Sequence, residues 1–291
     1  MYAQNDDEDR TDWDPSKYRG MYKDLNAKVK KESAALRDEW TRESPTARFW
    51  EVDLLRGCAI LLMVLYHLVF DLNYFAVREI DVSSGFWLAL ARVAASLFLL
   101  LVGLSLALSH SRIWLLGQED GFFFRLLKRS AWILVLALGV SVVTYLFIGK
   151  GFIIFGVLHL IGLSLLLAYP FLRLQRANFI FGLLFILLGI YIQNISVGFP
   201  LLLWLGLTPA GFYSVDFFPV FPWFGVILLG IGLGSQLYPG YRRRIPMPDF
   251  AGSSLVRSLA FLGRNSLAIY LVHQPVIIAF LYLSGVSLSW H

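Results

Sequence analysis

The sequence has few charged residues for its length. Lys, Arg, Asp and Glu make up 15% of its 291 residues, whereas soluble globular domains average about 25%. Hydrophobic residues make up 57%, and the mean hydropathy is +0.65. These values exclude an ordinary soluble domain and predict an integral membrane protein.

The sequence also has a single cysteine and no nucleotide-binding loop. Cys58 is the only cysteine, so an intramolecular disulfide is excluded. The glycine-rich stretch GIGLG at 230–234 lies within an apolar segment and follows no strand, so it does not predict a nucleotide-binding loop. Small residues at this spacing instead predict close helix packing. No internal repeat and no metal-binding motif is present.

The first 48 residues differ in composition from the rest of the chain. They contain 10 basic and 11 acidic residues and no apolar run, which predicts a cytosolic polar tail. We expect no cleavable signal peptide, so that the first membrane span directs insertion. Residues 1–16 are predicted to be disordered, and residues 17–44 to form a charged surface helix. Its apolar side would carry Tyr22, Leu25, Val29, Leu36 and Trp40.

Seven apolar segments are long enough to cross a membrane, since about 20 helical residues span about 30 Å of hydrocarbon. They cover residues 52–74, 86–109, 129–149, 151–171, 177–195, 219–238 and 262–284. Residues 199–207 are too few to cross and are predicted to be re-entrant or interfacial. The sequence therefore predicts an all-α bundle of about seven transmembrane helices within residues 49–291.

The basic residues of the connecting segments predict the orientation, because Lys and Arg stay preferentially in the cytoplasm. Every second connection is basic, and those between carry little positive charge. The basic positions are Arg48, Arg112, Arg125, Lys128, Arg129, Arg173, Arg176, Arg242, Arg243, Arg244 and Arg257. This alternation predicts a multi-pass protein of the cell membrane with its N-terminus in the cytosol and its C-terminus outside.

Four ionisable side chains in the predicted spans lie at similar depth, between the outer third of the membrane and its midplane. They are His67, Arg92, His159 and His273. Asp71 follows His67 by four residues and shares its helix face, and Asp216 lies just before the sixth span. Ionisable groups in hydrocarbon cost about 2.5–3.5 kcal/mol each on insertion scales, so these residues are functional candidates.

The spacing of Arg56 and His67 adds a second signal. Eleven residues place both side chains on one helix face, about 16.5 Å apart along the axis. The planar guanidinium suits phosphate, and an imidazole titrates near neutrality, as a base or nucleophile must. The pair therefore predicts a site for a phosphorylated carrier whose long arm reaches from the cytosolic end into the membrane.

Structural explanations compete with these assignments. Arg92 also fits an ion pair with Asp71, and His159 and His273 also fit hydrogen bonds between helices. The basic run at 242–244 is a topology signal that needs no ligand. A transporter or flippase would use the same buried charges as a proton or substrate path, although the sequence shows no repeat to support this alternative.

Five stretches together resemble a known family. They are FWEVDLLRGCAILLMVLYHLVFDLNYF, RVAASLFLLLVGLSLAL, GVLHLIGLSLLL, DFFPVFPWFGVILLGIGLG and LGRNSLAIYLVHQPV. Within residues 48–283 they resemble the transmembrane acyltransferase superfamily, most closely the heparan-alpha-glucosaminide N-acetyltransferase catalytic-domain family, formerly a domain of unknown function. The arginine, ten residues, histidine spacing is also similar to that of acyltransferase-3 proteins.

The resemblance implies acetyl transfer across a membrane. Acetyl-CoA is the implied donor from the cytosolic side, and the implied acceptor is an amine or hydroxyl, commonly on a sugar, at the far side. His67 takes the place of the catalytic histidine and Arg56 that of the arginine. Heparan-type members carry asparagine at the position of His67 and a histidine in the loop after the first helix, so His159 is a second candidate base.

Roles for the remaining candidates follow from this resemblance. His67 is expected to act as a base or as an acyl carrier, Asp71 to orient it, and Arg92 to stabilise an oxyanion or to hold a carboxylate of the acceptor. The residues expected to bind CoA are Arg56, Arg242, Arg243 and Arg244. The residues expected to shape the acceptor pocket are His159, Asp216 and His273.

The same reasoning predicts the partners. The lipid bilayer, acetyl-CoA and a glycan or small-molecule acceptor are expected, and a homodimer is left open. Nucleic acid is not expected, because the basic residues lie where membrane topology requires them. No metal ion is expected.

Overall fold

The computed structural model describes residues 15–41 and 48–286 and separates the chain into two units, Met1–Ala47 and Arg48–His291. In the first unit, residues Pro15–Thr41 form helix α1, where the sequence predicted a charged helix. The side chains of Tyr22, Leu25 and Val29 are each more than half exposed. Disorder was predicted for residues 1–16, but α1 already begins at Pro15. Residues 1–14 and the side chains of Leu36 and Trp40 lie outside the described residues.

The described part of the second unit is helical. Its α-helices are α2 (Trp50–Tyr74), α3 (Gly85–Leu115), α4 (Phe122–Ile148), α5 (Val157–Leu167), α6 (Ala177–Ile192), α7 (Val220–Leu237), α8 (Ser254–Arg264) and α9 (Ser266–Leu283). Short 3-10 helices cover Pro170–Arg173, Pro200–Leu205 and Pro239–Tyr241. The all-α prediction is therefore confirmed for the described residues, in which the β-type pairing is an isolated bridge between Ser196 and Thr208.

Five of these helices, α2, α3, α4, α7 and α9, are long and apolar enough to cross a membrane. Helices α5 and α6 are apolar but have only 11 and 16 residues, or about 16 and 24 Å of length. A full crossing needs about 30 Å. The seven predicted spans thus correspond to five long helices and two shorter ones.

The structure adds detail to the sequence-based expectation for two further segments. The predicted span 262–284 is divided at Asn265, where α8 ends and α9 begins. Residues 199–207, expected to be too short to cross, contain a 3-10 helix of six residues.

Glycines bring the central helices α3 and α7 into backbone contact. A Cβ atom on Gly103 of α3 would lie 1.9 Å from the carbonyl oxygen of Ile227 in α7. A Cβ atom on Gly230 of α7 would lie 2.0 Å from the carbonyl oxygen of Leu100 in α3. Both distances are far below van der Waals contact, so only glycine allows this approach. The prediction that GIGLG serves helix packing is confirmed.

A second pair of glycines fixes α2 against α8. A Cβ atom on Gly57 would lie 2.0 Å from the Leu259 carbonyl oxygen, and one on Gly263 would lie 1.9 Å from the Asp53 carbonyl oxygen. Gly57 directly follows Arg56 in α2. The Arg56 end of α2 therefore packs closely against the helix that precedes α9.

The connection between α6 and α7 returns to the start of the short helix α5. The Val215 amide donates a hydrogen bond to the Gly151 carbonyl oxygen over 2.9 Å. The Asp216 carboxylate accepts one over 3.1 Å from the amide of Val157, the first residue of α5. A carboxylate satisfies the free N–H groups at a helix N-terminus and suits its partial positive charge. This capping contact brings Asp216 to the interior of the bundle.

Candidate active site

Two cavities meet within the second unit. The small cavity, of about 280 Å³, lies between α2, α3 and the connection before α7. The large cavity, of about 800 Å³, lies between α2, α4 and α9. Four residues line both cavities, and they are His67, Val215, Asp216 and Tyr270. Of the predicted site residues, His67 and Asp216 therefore stand at the junction.

The ring of His67 lies against the ring of His273. Their centroids are 4.8 Å apart, and the rings are inclined by 57°. Helix α2 supplies one ring and α9 the other, so the histidine pair joins two spans that are 206 residues apart in sequence. The structure thus brings together two residues that the sequence predicted only to share a depth.

The hydrogen bond of His273 fixes its tautomer. Its Nδ1 lies 2.6 Å from the carbonyl oxygen of Tyr270, and because a carbonyl oxygen only accepts, Nδ1 must carry the proton. The other ring nitrogen, Nε2, is then an acceptor. It is buried and has no protein hydrogen-bond partner in the described part of the chain. A basic nitrogen is therefore available beside His67.

Asp71 is bonded to Gln274 of α9 rather than to His67. The amide nitrogen Nε2 of Gln274 donates to both carboxylate oxygens of Asp71, each over 2.8 Å. Asp71 is only 2% exposed, so this amide provides most of its polar surroundings. The sequence predicted a contact between Asp71 and His67 from their spacing on one helix. Among the described residues, the facing helix instead supplies the donor.

Arg92 and His159 have separate surroundings. Arg92 is exposed and lines the small cavity, and the ion pairs among the described residues do not join it to Asp71. His159 is buried and lines neither cavity. Its Nδ1 accepts a hydrogen bond from the Gly156 amide over 3.2 Å, and its Nε2 lies 3.4 Å from the Ser141 hydroxyl. These contacts match the structural alternative for His159, a hydrogen bond between helices.

Arg56 lies on the same face of α2 as His67, eleven residues before it. Its Nη1 donates to the Asp53 carboxylate over 3.1 Å, and its Nη2 donates to the Ser105 hydroxyl over 2.6 Å. Ser105 lies on α3, so these bonds fix the guanidinium between two helices. A guanidinium has five N–H donors, and the bonds to Asp53 and Ser105 use two of them.

The three consecutive arginines at 242–244 differ in their surroundings. Arg243 donates to both carboxylate oxygens of Glu51 over 2.7 and 3.0 Å, and its guanidinium lies 5.2 Å from the centre of the Phe49 ring. The hydroxyl of Tyr238 donates to the same carboxylate over 3.0 Å. The bond to Glu51 raises the pKa of Arg243. Arg243 therefore joins the start of α2 to the segment after α7, while Arg244 is exposed.

Three polar side chains that support the site were missed by sequence reasoning. Gln274 holds Asp71, Ser105 holds Arg56, and the Tyr270 hydroxyl donates to the Asp216 carboxylate over 3.4 Å. Tyr270 and Gln274 both lie within the LAIYLVHQPV stretch that carried the family resemblance. Their position on the turns beside His273 was the available signal. No sequence signal pointed to Ser105, because a single serine on an apolar helix is common.

Burial of the Asp216 carboxyl raises its pKa to about 6. The hydrogen bonds from Val157 and Tyr270 favour the charged form and only partly offset this effect. Asp216 therefore titrates close to neutrality at the junction of the two cavities. No group of three or more potential metal ligands is assembled within the described residues.

Comparison with known proteins assigns the chain to a family. The model of the family described as heparan-alpha-glucosaminide N-acetyltransferase, catalytic, matches residues 48–275. These residues include both cavities except for the last turns of α9. No curated protein and no solved structure matches the chain. The family match covers more than three quarters of the sequence and all the candidate site residues, and the protein belongs to this family of membrane acyltransferases.

Proposed function

We propose that the protein transfers an acetyl group from acetyl-CoA to an amine or hydroxyl acceptor, on a glycan or small molecule, with His67 as the central catalytic residue. The observation that carries the proposal is the position of His67 at the junction of two cavities. One cavity can admit a donor and the other an acceptor, so that the reacting groups meet at one imidazole. Membership of a transferase family supports this chemistry.

The small cavity supports a donor route along α2. Ile60, Met63 and His67 line it, and their spacing places them on one helix face. Arg56 lies one turn before Ile60 on that face. We assign the CoA phosphates to the Arg56 end and the thioester to His67, about 16.5 Å further along the axis. Arg242 and Arg244 are candidates for further phosphate contacts.

Acetyl transfer at this junction requires a base. The acceptor nitrogen or oxygen attacks the thioester carbonyl carbon, and His67 takes the acceptor proton. The carbon–sulfur bond then breaks, and the CoA thiolate leaves and receives that proton. Arg92 lines the same cavity and is assigned to the oxyanion of the tetrahedral intermediate. In the alternative route, His67 itself carries the acetyl group between donor and acceptor.

The large cavity supports an acceptor site beside His67. The free Nε2 of His273 is placed to accept a hydrogen bond from the acceptor N–H or O–H group. Asp216 and Tyr270 line both cavities and are assigned to holding the acceptor. We propose that Asp71, bonded to Gln274, positions α2 against α9 and so fixes the distance between the two histidines.

We propose that donor and acceptor act from opposite sides of a cell membrane. The basic connecting segments support a cytosolic position for the Arg56 end of α2. Acetyl-CoA is then used from the cytosol, and the acceptor reaches the large cavity from the outer half of the bilayer.

The first experiment measures acetyl-CoA binding and slow thioester hydrolysis by the purified protein in lipid nanodiscs. Arg56→Ala is expected to weaken binding by at least tenfold, because a phosphate contact is lost. His67→Ala is expected to leave binding within about twofold and to reduce hydrolysis by 10²-fold or more. The matched controls are Arg112→Ala and His110→Ala, which remove the same groups from α3 away from both cavities.

Either of two outcomes would contradict the proposal. A folded parent protein that does not bind acetyl-CoA would exclude the donor assignment and favour a transporter. Hydrolysis that persists in His67→Ala but is lost in His159→Gln would transfer the role of base to His159.

A further inference from the structure

Helix α1 carries large apolar side chains along one side of an otherwise charged stretch. From Arg19 to Glu32, seven of the fourteen residues are charged, and all fourteen are exposed. The large apolar residues nevertheless recur at spacings of three and four positions, which places them on one helix face. We call this face the apolar stripe, and its residues are Met21, Tyr22, Leu25 and Val29, each more than half exposed.

Positive charge lies along one side of the apolar stripe. At about 100° per residue, three basic residues project about 90–130° from the centre of the stripe, all in the same direction. We call them the basic flank, and they are Arg19, Lys23 and Lys30. The other side of the stretch carries two lysines and two acidic residues, whose charges balance. The surplus of positive charge between Arg19 and Glu32 therefore lies beside the apolar stripe.

The chain keeps α1 near the membrane surface. Helix α1 ends at Thr41, and the membrane-crossing helix α2 begins at Trp50. A connection of this length spans at most about 32 Å. Tryptophan is enriched where a span meets the lipid–water interface, and Arg48 is exposed just before α2. The covalent link therefore holds α1 at a high effective concentration beside lipid headgroups.

A lipid–water interface suits both the apolar stripe and the basic flank. An interfacial helix buries its apolar face about 5–10 Å into the headgroup and acyl boundary, and long basic side chains extend from there to the phosphates. Water would leave the stripe uncovered, and hydrocarbon would bury seven charged groups. A second copy of α1 would cover the stripe, but each copy brings the same surplus of positive charge.

We propose that α1 binds the surface of an anionic lipid bilayer, with the apolar stripe inserted between the lipids and the basic flank against their phosphates. The helix, about 40 Å long for 27 residues, then lies along the interface. The predicted cytosolic position of the N-terminus agrees with this partner, because the cytosolic leaflet carries the anionic lipids.

A fluorescent label on α1 reports whether the stripe enters lipid. The whole chain, with Cys58→Ser, carries one NBD label at Leu25→Cys in the stripe or at Ala27→Cys. Ala27 is exposed and lies about 165° from the centre of the stripe, so it is the matched control. The nanodiscs contain phosphatidylcholine alone or an equal mixture with phosphatidylglycerol, and some lipids carry a nitroxide quencher on the acyl chain.

The label at Leu25 is expected to be quenched at least threefold more than the label at Ala27 in the anionic nanodiscs. This quenching is expected to fall at least twofold in nanodiscs of phosphatidylcholine alone, because the basic flank then loses its anionic partner. Size-exclusion chromatography and thermal unfolding check that each labelled protein is folded.

Two charge variants of equal net charge test the basic flank. Arg19→Glu combined with Lys23→Glu reverses two charges of the flank, and is expected to reduce quenching at Leu25 at least threefold in the anionic nanodiscs. Lys28→Glu combined with Lys31→Glu changes the net charge equally on the other side of the stretch. This control is expected to reduce the quenching by less than half.

Three results would overturn the proposal. Equal quenching of the two labels would leave α1 in water. Blue-shifted emission at Leu25 without nitroxide quenching would show that protein covers the stripe, as in contact with a second copy. Quenching that is the same with and without phosphatidylglycerol, or equal losses in the two charge variants, would exclude recognition of an anionic surface by the basic flank. None of these readouts depends on acetyl transfer.

Discussion

Replacing Gln274 by leucine tests how α9 holds α2. Asp71 is 2% exposed, and Gln274 Nε2 donates to both of its carboxylate oxygens, each over 2.8 Å. Leucine has a similar volume but no donor, so the carboxylate would stay buried without a partner. Hydrogen bonds to charged groups contribute about 1.5–3 kcal/mol each, and an uncompensated buried charge costs about 3–5 kcal/mol. We expect a loss of about 3 kcal/mol or more.

Thermal unfolding in detergent or nanodiscs measures this loss. For a chain of this size, each kcal/mol corresponds to about 2–4 °C in Tm, so Gln274→Leu is expected to lower Tm by at least about 6 °C. The control is Gln193→Leu, because Gln193 is exposed at the end of α6. It is expected to change Tm by less than about 1 °C.

A double-mutant cycle isolates the contact between the two side chains. Asp71→Leu combined with Gln274→Leu removes both polar groups and leaves an apolar contact between α2 and α9. We expect the double variant to be more stable than Gln274→Leu alone, with a coupling energy of about 2 kcal/mol or more. Additive effects, or an unchanged Tm in Gln274→Leu, would refute the role of this contact in joining the helices.

Three further predictions concern packing, pH and the start of α2. Gly103→Ala is expected to prevent folding, because its Cβ atom would lie 1.9 Å from a backbone oxygen of α7. Gly139→Ala meets open space and is expected to leave stability unchanged or to raise it by up to about 1 kcal/mol. The expression level and Tm of each variant measure these effects. Because burial raises the pKa of Asp216 to about 6, the bound proton stabilises the fold below about pH 4, and this contribution is lost as the pH rises through 6. The Tm of the parent is therefore expected to fall from pH 4 to pH 7 relative to that of Asp216→Asn. Arg243→Ala is expected to lower Tm by more than Glu51→Gln, which keeps an acceptor for Tyr238.

Each of these predictions has a contradicting result. Normal yield and Tm of Gly103→Ala would show that α3 and α7 can separate at little cost. Parallel profiles of Tm against pH for the parent and Asp216→Asn would show that the Asp216 carboxyl is exposed to water. Equal Tm values for Arg243→Ala and the parent would assign this arginine to topology alone.

The long apolar helices were predictable from composition, because hydrocarbon requires every backbone hydrogen bond to be satisfied within the segment. The predicted spans 52–74 and 219–238 agree closely with α2 and α7. The length of α5 was not predictable. Its N-terminus is set by the Asp216 carboxylate, which arrives from a connection 59 residues later.

The candidate site was predicted in part. Depth counting along separate helices identified His67 and His273, and the position just before the sixth span identified Asp216. The structure collects these three residues around two joined cavities. The predicted partner of Asp71 differed, since spacing along α2 favoured His67 and the facing helix supplied Gln274. His159 shares their depth but lies outside both cavities, because its ring nitrogens are used by Gly156 and Ser141.

By itself, the sequence determined that this protein lies in a lipid bilayer. It also determined where the long helices lie along the chain and which ionisable side chains they carry. These properties depend on local composition and on a helical period of 3.6 residues. Only the tertiary structure decided which polar groups contact each other and which already have hydrogen-bond partners. It also placed the large cavity between α2, α4 and α9. Such contacts join residues up to about 200 positions apart, and their geometry depends on how closely the glycines of neighbouring helices allow the backbones to approach.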